Sequence, residues 1–160
     1  MGYPVDKKAQ IHSELALLTP RLARFAAALT GGEGACHGLI KATRNQVLAR
    51  ASRERGNTPL VLWAFKLMHG LWASRAKSHG DKHPPADPRL FQPRSSAASD
   101  PVGSARLAKF VAQLSPQQRG ILHLVYGERL SYDEVAEIFG LEVSAVMTRL
   151  APALPVRRKT

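Results

Sequence analysis

Leu130-Ser131-Tyr132-Asp133-Glu134-Val135-Ala136-Glu137-Ile138-Phe139-Gly140-Leu141 is the stretch on which the fold turns. Ser131 followed three residues later by Glu134 has the form of a capping box. The hydroxyl accepts from a backbone N–H of the first helical turn, and the carboxylate reaches back to the serine N–H. Val135, Ala136, Ile138 and Phe139 then recur at helical spacing, and Gly140 supplies the residue on which a short helix can stop. A second short helix is expected from about Val143 to Ala151, with Val146 and Leu150 facing inward. Two short helices with a tight glycine turn between them, and apolar spacing fixed across both, are the sequence form of a helix-turn-helix.

Working back along the chain, Ser115-Pro116-Gln117-Gln118 repeats the signal as N-cap, first-turn proline and capping box. It opens a helix carrying Ile121, Leu122 and Val125, and it ends one marked by Leu107, Phe110, Val111 and Leu114. Between Ser78 and Pro101 the composition changes: Pro84, Pro85, Pro88, Pro93 and Pro101 join Gly80 and the run Ser95-Ser96-Ala97-Ala98-Ser99, which reads as a flexible linker.

Three further helices are expected before it. Thr19-Pro20 reads as an N-cap with proline at the first helical position, opening a stripe of Leu22, Phe25, Ala26 and Leu29 that stops at Gly31-Gly32. The next runs from about Ala35 to Ser52, with Leu39, Ile40, Thr43, Val47 and Ala51 inside and Arg44, Arg50 and Arg53 outside. Thr58-Pro59 opens the third, whose wide apolar face of Leu60, Trp63, Ala64, Leu67, Met68, Leu71 and Trp72 reaches toward Lys77. Strand signals are weak throughout. The expected fold is all-α, two small helical domains joined by a flexible linker, the second a helix-turn-helix. The boundaries are residues 1–78, a linker over 79–104, residues 105–152 and a basic tail at 153–160.

Lys and Arg number 23 against 12 Asp and Glu in the 160 residues, a net charge of +11 that favours a polyanionic partner, nucleic acid first. Residues 1–80 carry 12 basic and 4 acidic side chains, whereas residues 81–160 carry 11 and 8, so the excess sits in the N-terminal half. A single cysteine, Cys36, excludes an intrachain disulfide and fits a reducing compartment, the cytoplasm by default. No stretch approaches the roughly 20 apolar residues of a membrane span, and the first residues lack a signal peptide's apolar segment.

No enzyme is expected. His12, His37, His69, His79, His83 and His123 are scattered, with no pair at metal-binding spacing inside one expected helix, and Cys36 has no basic neighbour except His37. Gly31-Gly32-Glu33-Gly34 follows no strand and reads as an interhelical turn rather than a phosphate loop. The expectation is therefore no metal, no cofactor and no catalytic residue.

The run from Leu114 through Leu122 and from Leu130 through Leu141, followed by Val146-Met147-Thr148-Arg149-Leu150, closely resembles region 4 of bacterial sigma factors. Leu22-Ala23-Arg24-Phe25-Ala26-Ala27-Ala28-Leu29-Thr30-Gly31, Leu39-Ile40-Lys41-Ala42-Thr43 and Trp63-Ala64-Phe65-Lys66-Leu67 resemble region 2 of the extracytoplasmic-function type. The resemblance implies a stress- or signal-regulated sigma factor that directs core RNA polymerase to promoters. Leu39, Ile40, Lys41 and Thr43 would meet the polymerase clamp, and Lys66, Trp72, Arg75 and Lys77 would contact the minus-ten element of promoter DNA. Ser144, Ala145, Met147, Thr148 and Arg149 would read the minus-thirty-five element. Trp63 is expected in the core, while Trp72 suits either the core or a base-stacking role.

Some positions depart from the family pattern. Where family members carry an acidic pair and a Gln-Glu, this chain has Cys36-His37-Gly38-Leu39-Ile40-Lys41-Ala42-Thr43, keeping the apolar and threonine positions without the acids. The recognition helix retains Arg149 as its cation, and residues 131–152 hold four acids and one base, a sign unfavourable beside phosphate. Arg157, Arg158 and Lys159 in the tail could offset it. These departures support a second reading: a sigma-like mimic or adaptor that binds an anti-sigma factor or another regulator without initiating transcription.

Overall fold

A computed structural model describes residues 6–79, 86–91 and 101–151. In chain order the elements are α1 (Lys7–Thr30), α2 (Glu33–Glu54), α3 (Leu60–His79), a 3₁₀ turn at Pro88–Phe91, α4 (Pro101–Gln113) and α5 (Pro116–Leu122). A π-helical turn over His123–Gly127, then α6 (Tyr132–Phe139) and α7 (Val143–Leu150), complete the elements among the described residues. No strand occurs among the described residues, and the all-α expectation holds.

The first helix corrects the expected start at Thr19-Pro20. It begins instead after Asp6, whose carboxylate accepts from the Lys8 N–H at 3.0 Å, and Pro20 lies in its interior. A proline there costs about 3 kcal/mol. The offset is burial: Ile11 and Leu15 continue the stripe of Leu22, Phe25 and Leu29 toward the N-terminus, and each buried side chain contributes roughly 1.5–3 kcal/mol. Thr19 is not a cap; its Oγ1 donates to the Leu15 carbonyl at 2.8 Å.

Helices α1, α2 and α3 enclose Leu15, Leu22, Phe25, Leu29, Leu39, Val47, Phe65 and Met68, with Phe25 meeting Phe65 edge to face at 5.2 Å. In the C-terminal part both capping boxes form, at Ser115/Gln118 and Ser131/Glu134, and Gly140 takes the left-handed conformation at φ 65°. Val135, Ile138, Phe139, Val146 and Leu150 are buried with Ile121 and Leu124. Leu107 and Phe110, which mark α4 in the sequence, stand 60% and 38% exposed, while Ala108 between them is buried.

The two helical units pack on each other through one continuous apolar cluster. Phe25 of α1 is its centre: its ring lies 6.1 Å from Phe139 and 6.4 Å from His123 as well as against Phe65. Gly120 of α5 makes the approach possible. A Cβ there would stand 2.9 Å from Leu29 Cδ2 and 2.9 Å from Phe139 Cζ.

Within the proline-rich connector, residues 86–91 lie over the end of α1, where the Asp87 N–H donates to the Gly31 carbonyl at 2.9 Å. Gly31 has φ 68°, and a Cβ on it would stand 2.8 Å from the Ala86 Cβ. The rest of the connector, 80–85 and 92–100, and the basic tail lie outside the described residues.

Candidate functional site

Arg119 sits at the seam between the two units. It is 4% exposed, its Nε donates to the Ala28 carbonyl at 2.7 Å, and its Nη1 donates to the Leu114 carbonyl at 2.7 Å. Ala28 belongs to the last turn of α1, where carbonyls lack helical partners and the helix dipole favours a cation. The Phe91 ring covers the guanidinium at 5.8 Å, and burial lowers its pKa from the usual arginine range.

A second set of polar contacts lies on the same seam. Arg21 of α1 pairs with Glu128 after the π turn, Nη2 to Oε2 at 2.6 Å and Nε to Oε2 at 2.8 Å, and the Glu128 side chain is almost wholly buried. His123 Nε2 lies 3.9 Å from Glu128 Oε1, buried and without a hydrogen-bond partner among the described residues. Burial depresses the His123 pKa, with the Arg24 charge acting in the same direction and Glu128 opposing both. On α3, His69 packs 4.4 Å from the Phe139 ring of α6, and burial lowers its pKa too. Lys66 Nζ reaches Glu137 Oε1 at 4.0 Å on the exposed rim.

The expected contact residues distribute unevenly over this frame. Leu39 and Thr43, anticipated on a polymerase-facing surface, are core residues with their side chains turned inward beside Val47 and Ala51; Thr43 Oγ1 donates to the Leu39 carbonyl at 2.8 Å. The spacing of four that repeats along α2 places both on its inner stripe. Ile40 is half-buried and Lys41 is exposed.

On α3, Lys66, Arg75 and Lys77 are exposed, and Trp72 is half-buried with its ring 5.8 Å from His69. Lys66 and Arg75 are about 13 Å apart along the helix, so they do not form one cluster. On α7, Ser144, Met147 and Thr148 are exposed, whereas Ala145 and Arg149 are half-buried. Thr148 Oγ1 is engaged with the Ser144 carbonyl at 2.8 Å, and Gln118 Nε2 donates to the Arg149 carbonyl at 3.4 Å. The outer face of the helix-turn-helix is thus open to solvent and poor in cations.

Arg119, His123 and Glu128 were not singled out by reading the sequence. Arg119 follows a capping box and looks like an ordinary first-turn cation. The available signal was Gly120 beside it, since a glycine inside a helix costs about 1 kcal/mol and marks a close approach. Among the described residues no group of three His, Cys, Asp or Glu could hold a metal ion, and no helix is long and apolar enough to cross a membrane.

Residues 104–154 match the family Sigma-70, region 4. A search of curated proteins finds no match. Among solved structures, the chain is similar to one in the complex of the sigma factor RpoE with the anti-sigma factor NepR from Bartonella quintana. Identity there is 20%, the match covers 90% of this chain and 91% of that one, and the TM-score is 0.73. The PhyRSL–NepR complex from Sphingomonas sp. Fr1 matches at 22% identity over 92% and 94%, with a TM-score of 0.63. The anti-anti-sigma factor PhyR complexed with NepR from Bartonella quintana matches at 19% identity and a TM-score of 0.57, over 89% of this chain and 48% of that one. The chain therefore has a sigma-factor fold, with a region 4 segment at residues 104–154.

Proposed function

We propose that this protein is a sigma-type regulator of transcription that meets an anti-sigma factor in the closed form described above. The observation that carries this is the seam itself, where Phe25, Arg119 and Gly120 hold α1 and α3 against α5 and α6. The minus-ten and minus-thirty-five elements are separated by about 25 base pairs, roughly 85 Å at about 3.4 Å each. Here Lys66 of the first unit and Glu137 of the second are 4.0 Å apart. Reaching both elements would require the two units to separate and the seam to open.

The closed form instead presents α4, whose Val102, Leu107 and Phe110 are exposed, as an apolar surface for an amphipathic helix of a regulator. That the matched structures are complexes with the anti-sigma factor NepR supports the same partner class here. The protein acts by binding, with no catalytic role.

A second reading has its own support. Arg75 and Lys77 on α3, and Ser144, Met147 and Thr148 on α7, are open to solvent. Once the seam opens, these surfaces would let the protein direct core RNA polymerase to promoters in the cytoplasm, under stress or another signal.

The test combines the purified chain with core polymerase on a promoter library, scoring open complexes and run-off transcripts. A parallel arm measures binding to an anti-sigma factor of the NepR kind. Anti-sigma binding without polymerase co-elution or transcript supports the adaptor form of the proposal. Binding in both arms supports a working sigma factor under regulation, and transcription with no anti-sigma binding overturns it.

A further inference from the structure

The outer surface of α2 carries a charge pattern that neither the seam nor the helix-turn-helix uses. From Gly34 to Arg53 this helix has no acid, and neither does α3 from Leu60 to His79. Lys41, Arg44 and Arg75 are all exposed and form no ion pair among the described residues. Arg50, by contrast, is held by Glu54 at 2.6 Å.

Arg75 does not extend away from the protein. Its Nη1 lies 3.6 Å from where a Cβ on Gly38 would stand, so the guanidinium rests across α2. Lys41 is three residues beyond Gly38 and Arg44 three beyond Lys41, adjacent positions on a helix surface. The three cations therefore run along one ridge, about 9 Å long between Gly38 and Arg44 at about 1.5 Å per residue. Like charges at such spacing repel, and nothing within the described residues neutralises them.

We propose that Lys41, Arg44 and Arg75 form a sequence-independent site for the phosphate backbone of duplex DNA, separate from the helix-turn-helix. Three features select this ligand. Phosphate binding needs only positioned cations. A protein partner needs an apolar anchor at the centre of its interface, and none of the exposed large hydrophobic residues lies on α2 or α3. Single-stranded nucleic acid needs an exposed aromatic platform, and the exposed tyrosines, Tyr126 and Tyr132, lie in the other unit. The site goes beyond the regulator reading and does not depend on it.

The experiment titrates the full chain against a 20-base-pair duplex of random sequence by fluorescence anisotropy between 50 and 200 mM salt. The comparison is with a Lys41→Gln, Arg44→Gln, Arg75→Gln variant. Each lost phosphate contact changes the log–log salt slope by about 0.9 for duplex DNA. The variant slope is therefore expected to be shallower by about 2.7, which over this fourfold salt range is roughly a 40-fold difference in how far affinity falls. A Lys7→Gln, Lys8→Gln, Lys109→Gln variant removes the same net charge elsewhere and is expected to keep the wild-type slope to within about one contact. Circular dichroism checks that both variants are folded. The proposal is overturned if the two triple variants lose equal slope, if the first retains the wild-type slope, or if a single strand or a poly-glutamate peptide binds this face more tightly than duplex.

Discussion

The Nε of Arg119 donates to the Ala28 carbonyl across 2.7 Å, joining α5 to the final turn of α1. The same guanidinium donates to the Leu114 carbonyl, so one buried cation ties three segments together with no carboxylate partner among the described residues. A hydrogen bond from a charged group contributes about 1.5–3 kcal/mol, and a buried carbonyl left alone costs about 1–3. Arg119→Met is expected to lower the unfolding free energy by about 2–4 kcal/mol in urea titration. Arg119→Lys is expected to recover little, because an ammonium on a flexible stem does not reproduce the planar fork. A loss below about 0.5 kcal/mol in Arg119→Met would show that the contact is incidental.

Gly120→Ala probes the same seam from the packing side. The added methyl would stand 2.9 Å from both Leu29 and Phe139, with Phe25 at 3.4 Å, in a place where all three rings and chains are buried. Overpacking of this kind costs about 1–3 kcal/mol. The expected readout is faster hydrogen exchange in α5 and α6 together with lower overall stability. Unchanged exchange there would mean that the seam yields without loss.

These two positions also mark what the sequence leaves hidden. The capping boxes at Ser115 and Ser131, the Gly140 turn and the inner stripe of α2 are local patterns, and they appear where their spacing puts them. On α3, Leu60, Ala64 and Met68 are buried as expected, while Phe65 joins them and Trp63, Leu67, Leu71 and Trp72 are half-buried. The start of α1 is hidden behind the strong local signal of Thr19-Pro20, because the burial of Ile11 and Leu15 that carries the helix back to Asp6 depends on α2 and α3 packing against it. The seam depends on contacts about 90 residues apart, such as Ala28 with Arg119, and no local periodicity encodes them. Leu39 and Thr43 show the converse: a family resemblance suggests contact, while their own i, i+4 spacing assigns them to the core.

Acidification is expected to loosen the seam. His69 and His123 both lie there with pKa values lowered by burial, so each is held neutral in the closed form and regains its ordinary value near 6.5 when exposed. The open or unfolded chain therefore binds more protons, and stability falls as pH drops below about 6.5 toward the lowered values. Glu128, 3.9 Å from His123, resists part of this effect, whereas Arg24 on α1 reinforces it. Urea midpoints at pH 7.5 and 5.5 should differ, and His69→Phe with His123→Leu should reduce the difference. An equal pH response in that double variant would remove the histidines from the account.

The cap of α6 can be tested without touching the seam. Ser131 Oγ accepts from the Glu134 N–H at 3.1 Å, and Glu134 Oε1 accepts from the Ser131 N–H at 3.0 Å. Ser131→Ala is expected to cost about 1 kcal/mol, and Ser131→Asp, which keeps an acceptor at the cap, is expected to restore most of it. Thermal melting of the three proteins checks this. Equal midpoints would show that α6 is held by packing alone.

The acids of the helix-turn-helix set its expected behaviour toward DNA. Glu137 is exposed on α6 with Lys66 4.0 Å away, and Glu142 is exposed at the start of α7, where its side chain makes no capping bond. Neither is needed to hold a helix end, and both lie within the segment that would approach phosphate. Removing a charge beside a phosphate is worth up to about 1 kcal/mol in a water-like medium, about fivefold in affinity at low salt. Glu137→Gln with Glu142→Gln is therefore expected to raise duplex affinity roughly five- to twentyfold at 50 mM salt, the gain shrinking at 200 mM. The measurement belongs in the Lys41→Gln, Arg44→Gln, Arg75→Gln background, where the ridge on α2 no longer contributes. If affinity is unchanged at 50 mM in that background, α7 does not approach DNA, and the open-form promoter reading loses its C-terminal half.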